Sequence, residues 1–116
     1  GFSDETDLAG SATAHIATAE CRKSANSAGQ TYFTLYTNDG SNNSRLPSTV
    51  TLDTNWHTFK VTNTSGANTL LSIDGVLEVT KSTNKPTDPM CPAFIVDAQT
   101  AHVATAQIRY LEAYNT

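Results

Sequence analysis

Apolar and polar residues alternate along this chain in short runs separated by turn formers, the period of two expected of half-buried β-strands. Residues 31–37 (TYFTLYT) place Tyr32, Thr34 and Tyr36 on one face and Phe33 and Leu35 on the other. The run stops at Asn38-Asp39-Gly40, and Ser41-Asn42-Asn43-Ser44 continues the turn chemistry. A short strand is predicted over 49–52, after Pro47. Residues 57–62 alternate again, Phe59 and Val61 toward a core and Lys60 and Thr62 toward water. The runs 69–73 and 76–80 flank Asp74-Gly75, and an Asp-Gly between two such runs is a strong hairpin signal.

The rest of the chain repeats the theme. Residues 81–92 carry Pro86, Pro89 and Pro92 and read as a loop that leads into a strand over 93–98. A closing strand is predicted over 103–114, with Ile108, Tyr110, Glu112 and Tyr114 on one face and Arg109, Leu111 and Ala113 on the other. The alanines within 7–28 favour a helix by propensity, but Ile16 stands alone there and a helix without an apolar stripe has nothing to bury. That stretch reads as a loop followed by a strand around 15–22. Strands at roughly ten-residue spacing with turns between them predict a single domain over 1–116, an all-β antiparallel sandwich or a barrel.

Composition sharpens this picture. Charged residues are 16% of the chain, against about a quarter in typical domains, and Thr, Ser and Asn take their place. Threonine is β-branched and suits a pleated, half-exposed surface, a composition common in extracellular and virion β-proteins. The net charge is -4 and no basic block occurs, so nucleic-acid binding is not expected. No apolar run approaches the ~18 residues of a membrane helix, so no membrane span is predicted. Cys21 and Cys91 are widely separated, with no CxxC or Cys/His cluster around either. Two readings stand: a disulfide, whose long loop would stabilise by about 4 kcal/mol, or two separate thiols behaving as small apolar residues.

The order of these signals resembles a known family. An aromatic strand, then Asn55-Trp56-His57-Thr58-Phe59-Lys60-Val61, then Leu71-Ser72-Ile73-Asp74-Gly75-Val76, and the ending Ala106-Gln107-Ile108-Arg109-Tyr110-Leu111-Glu112-Ala113-Tyr114 look like the second half of a concanavalin A-like lectin/glucanase jelly roll, the superfamily that includes laminin-G-like modules. The likeness covers about residues 31–116. It implies that the W-H-x-F-x-V strand and the I-D-G hairpin are neighbours and that the last strand returns to the centre of the sandwich. It also implies that the usual N-terminal strands are missing, since Gly1-Phe2-Ser3-Asp4 opens as if inside one. Within that family the Thr-rich strands and the IRYLEAY ending are most similar to structural proteins of tailed phages and other viruses. The fold itself is nearly silent on function.

Candidate chemistry divides the remaining options. Retaining glucanases need two carboxylates about 5 Å apart, supplied by two glutamates on one strand. Glu5, Glu20, Glu78 and Glu112 each stand alone in their segments, and His15, His57 and His102 form no ligand or catalytic spacing, so no enzyme activity is expected. His57 reads as a strand-start residue beside a core or rim aromatic. A lectin-like site would combine aromatic faces with oxygen-rich loops, and Tyr32, Tyr36, Asp39, Asn42, Asn43 and Trp56 form such a set. Residues 39–43 also offer oxygen ligands for Ca²⁺, without a recognisable spacing. The plainer reading, which the sequence favours, has Trp56 as a core anchor and the Asn-rich segment as an exposed turn. Asn42-Asn43-Ser44 and Asn63-Thr64-Ser65 match the glycosylation acceptor pattern. The expected function is a non-enzymatic structural protein at a virion surface or outside the cell. It would act as a homo-oligomer through contacts with itself and with capsid or surface proteins; the alternative is a carbohydrate-binding module.

Overall fold

A computed structural model describes residues 2–3, 15–21, 31–64, 67–88, 90–92 and 107–113, and among these the chain is all-β with no helix. The strands are β1 (Phe2–Ser3), β2 (His15–Glu20), β3 (Tyr32–Asp39), β4 (Asn43–Thr51), β5 (Phe59–Asn63), β6 (Thr69–Ile73), β7 (Val76–Lys81) and β8 (Cys91–Pro92). They form a five-stranded sheet in the order β4-β3-β2-β1-β8 and a three-stranded sheet in the order β5-β6-β7. Every pairing is antiparallel. The two sheets pack as a sandwich, with β5 against β2 and β7 against β4.

Alternation places much of the core as the sequence predicts, but Phe59, expected toward it, is 41% exposed. Phe33 and Leu35 of β3 meet Leu71 and Ile73 of β6 and Val79 of β7, all buried, with Ala19, Leu46, Val50, Leu52 and Val61 packed around them. Burying each such large side chain contributes about 1.5–3 kcal/mol. The inner layer turns polar toward the other end of β3 and β6, where Thr37 and Thr69 are both buried. The Thr69 hydroxyl donates to Asn63 Oδ1 at 2.6 Å, and Asn63 Nδ2 donates to the Pro86 carbonyl at 3.2 Å. Thr37 Oγ1 has no partner among the described residues.

The β6–β7 hairpin forms at the predicted turn. Asp74 has φ 52° and Gly75 φ 83°, and positive φ at both central residues defines the type I′ turn that matches strand twist. A bulge follows in β7, where Leu71 pairs with Val79 but Ser72 pairs with Leu77. The extra residue, Glu78, reaches the edge strand of the other sheet instead, accepting from Thr49 N–H at 3.0 Å and from the Thr49 hydroxyl at 2.6 Å. Bulges commonly re-aim a side chain in this way.

Two expectations need correction. Strand β4 begins at Asn43 rather than near residue 49, so Asn43 and Ser44 lie in a strand and only residues around Gly40–Asn42 turn. It runs through Pro47 because β4 is a sheet edge, where a residue without N–H is tolerated. Its pairing is broken between Tyr32 and Thr34, where the Ser48 hydroxyl accepts from Val50 N–H at 3.1 Å and folds the strand locally. Second, residues 107–113 form no strand, so at these positions the expected closing strand is not made; residues 103–106 and 114, and the strand expected over 93–98, lie outside the described residues. Of the two readings left open for the cysteines, the structure bears on the disulfide: Cys21 is an exposed free thiol. Cys91 and Ile16 both stand opposite Ser3, whereas Cys21 lies past the far end of β2, roughly 16 Å from Ile16 at the strand rise. A disulfide needs Cα atoms within about 7 Å, so this sheet register does not bring Cys21 to Cys91.

Candidate functional site

One end of the sandwich gathers the β4–β5 loop, the β6–β7 turn and the start of β3. Its centre is His57. Nδ1 lies 2.7 Å from Asp74 Oδ2 and Nε2 lies 3.0 Å from Asp53 Oδ1, while the side chain is 11% exposed. Both carboxylates are preset by the backbone. Asp74 Oδ1 accepts from Thr58 N–H at 2.8 Å, and Asp74 N–H donates to the Thr58 carbonyl at 2.9 Å. Asp53 Oδ1 also accepts from Asn55 N–H at 2.8 Å, a local Asx turn.

The electrostatics follow from this geometry. Bonds to Asp74 first, and then to Asp53, raise the His57 pKa and favour the imidazolium, the only form that donates from both nitrogens. The carboxyls shift the other way, Asp74 through Thr58 N–H and then His57, and Asp53 through Asn55 N–H and then His57. The ring also packs edge-on against Phe33 at 5.1 Å, and Phe33 meets Phe59 at 4.9 Å. The cluster therefore ties the loop after the five-stranded sheet to the turn of the three-stranded one.

Beside it, Trp56 is 54% exposed and is not a core anchor. The loop turns its ring outward while His57 takes the inward position, and the Arg109 guanidinium lies 4.6 Å from the ring centroid. Tyr32, Phe59, Val76 and Leu77 are also exposed at this end.

The residues proposed for a lectin-like site are separated by the fold. Tyr32 and Trp56 belong to this end, but Asp39 at the end of β3, Asn42 in the turn and Asn43 at the start of β4 lie at the opposite end, about 23 Å away along β3 at the strand rise. Tyr36 lies between, beneath Arg45, whose guanidinium is 4.2 Å from its ring and bonds both oxygens of Glu20 at 2.7 and 3.2 Å. Asp39 Oδ1 caps the turn, accepting from Ser41 N–H at 3.0 Å and Asn42 N–H at 2.7 Å, which lowers the carboxyl pKa. Among the described residues no group of three His, Cys, Asp or Glu side chains is placed to hold a metal ion. Of the two glycosylation acceptor patterns, Asn42 is exposed, while the Asn63 amide is engaged inside the sandwich.

Sequence reasoning missed Asp53, Asp74 and Arg109. The signals for the first two were present: Asp53-Thr54-Asn55 is an Asx-turn pattern, and the hairpin fixes Asp74. What was missing was the β5–β6 register, which places Phe59 opposite Ile73 and so Thr58 level with Asp74. No family model, curated protein or solved structure matches the chain.

Proposed function

We propose that the chain is a non-catalytic structural module of the concanavalin A-like jelly-roll kind that works through protein–protein contacts at the surface of a virus particle or outside the cell. The observation that carries this reading is the cluster of exposed Tyr32, Trp56, Phe59, Val76 and Leu77 at one end of the sandwich. Exposed apolar side chains concentrated at one end of a domain point to an interaction surface there. The polar, Thr-rich remainder of the surface suits an extracellular or virion setting.

Catalysis forms no part of this reading. With both nitrogens of His57 committed to carboxylates, the ring has no lone pair to accept a proton from a substrate. It also fills the space between Asp53 and Asp74, where a substrate of a two-carboxylate mechanism would have to lie. Light scattering across concentration tests the proposal: a defined oligomer is expected, with a smaller mass when Trp56→Ser, Val76→Ser and Leu77→Ser are combined. A monomer at all concentrations overturns it.

A second reading, carbohydrate binding, draws on Trp56, whose ring is 54% exposed in the loop that also carries Asp53 and Asn55. Quenching or enhancement of Trp56 fluorescence by a panel of oligosaccharides tests it, and no response from any sugar overturns it.

A further inference from the structure

Residues 107–113 carry a strand pattern that neither sheet uses. Ile108, Tyr110 and Glu112 alternate with Arg109, Leu111 and Ala113, yet all seven positions are exposed and outside the strands, Tyr110 being 74% exposed. Among the described residues no backbone hydrogen bond joins the segment to either sheet. Arg109 lies on Trp56, in the loop that leads into β5, so the segment is held beside the beginning of that strand.

Strand β5 is itself an edge, and no described strand pairs with its outer side. The other edge of the three-stranded sheet, β7, is bridged to β4 by Glu78 and Thr49. An open edge with an apolar inner row is a template for another strand. Arg109 sits on Trp56, three residues ahead of β5, so the segment meets its own chain at the start of that strand and is not paired along it.

We propose that residues 107–113 add as an antiparallel strand to the β5 edge of a second copy of this chain, which returns the same contact. This rests on the reading that the chain works through protein–protein contacts. The register that fits the side chains sets Leu111 opposite Val61, Glu112 opposite Lys60 and Tyr110 opposite Thr62. Leu111 then extends the core-facing row of Val61, and the unlike charges of Glu112 and Lys60 meet on the solvent face. Two identical contacts related by a two-fold axis close a dimer and leave β5 no longer an edge.

Two measurements on the full chain test this. In a Cys21→Ser, Cys91→Ser background, protein carrying Val61→Cys is mixed with protein carrying Leu111→Cys and oxidised. A cross-linked dimer is expected at a yield several-fold above that from a mixture of Leu77→Cys and Leu111→Cys. Equal yields overturn the proposal. Leu111→Pro removes a backbone donor that the added strand requires, in a segment outside both sheets. Its circular dichroism and melting temperature are expected to stay as in the wild type while its mass by light scattering falls from dimer to monomer. A Leu111→Pro protein that keeps the wild-type mass overturns strand exchange and leaves the protein-contact reading standing; a wild type that is monomeric throughout overturns both.

Discussion

Asp74 holds His57 from the tip of a tight turn, its Oδ2 2.7 Å from Nδ1 while its own backbone sits at φ 52°. The turn that ends one strand pair therefore also fixes the loop that precedes it. The pH dependence of stability should report this clamp. The His57 pKa is raised in the fold, so its contribution is complete below about pH 6.5, the value of a free imidazole, and is lost as pH rises through the raised value. The Asp53 and Asp74 values are lowered. Their contribution is present above about pH 4 and is lost as pH falls through the lowered values. The melting temperature is expected to be highest in the weakly acidic range between these limits. His57→Gln should flatten the alkaline limb, and an unchanged limb in that variant would exclude His57 as its source.

The hairpin turn gives a sharper magnitude. Gly75 has φ 83° and an added Cβ would meet nothing within 4 Å. The whole effect of Gly75→Ala is therefore conformational, about 1–2 kcal/mol for an L residue in the left-handed region. Chemical denaturation should show a lower midpoint with an unchanged slope, since no buried surface is lost.

A buried hydroxyl predicts an effect of the opposite sign. Thr37 is 1% exposed, and its Oγ1 lacks a partner among the described residues. Thr37→Val keeps the shape and removes the desolvated polar group, so it should stabilise by about 1 kcal/mol. Denaturant titration of the two proteins side by side measures this, and a loss of stability would show that the hydroxyl is bonded.

The thiol chemistry separates this fold from a disulfide-stapled one. Cys21 is free and exposed, and the register of β8, β1 and β2 holds Cys91 far from it. Reductant is expected to leave the melting temperature unchanged, where rupture of a long-loop disulfide would lower it by the equivalent of about 4 kcal/mol. A maleimide should label Cys21 in the native protein without prior reduction, as peptide mapping by mass would verify.

What could be read from the sequence was local. Alternation and turn residues located β3, β5, β6, β7 and the Asp74-Gly75 turn, because each signal lies within a few neighbouring residues. Strand β4 was misread at its start because Asn43 and Ser44 are turn formers by propensity, and only their place opposite Asn38 and Thr37 makes them a strand. The segment 107–113 shows the converse. Its alternation states which faces a strand would have, but not whether an edge is available to pair with it. The clamp was invisible for the same reason, since His57 and Asp74 are joined through a register and not through spacing.

Trp56 illustrates how much turns on one side-chain direction, and its fluorescence offers a direct check. It is the single tryptophan of the chain, so emission and quenching report this ring alone. A core anchor would emit blue of the unfolded protein and resist acrylamide. A ring 54% exposed under one guanidinium should emit near the unfolded position and be quenched efficiently. Arg109→Ala removes that cover and should raise the quenching constant further. An exposed cation–π contact contributes about 0.5–1 kcal/mol, so the global unfolding midpoint should shift little. If Arg109→Ala leaves quenching unchanged, the segment 107–113 is not held at Trp56 in solution. If quenching rises as expected, the residue that anchors segment 107–113 is also the one that shields Trp56 at the exposed end of the sandwich.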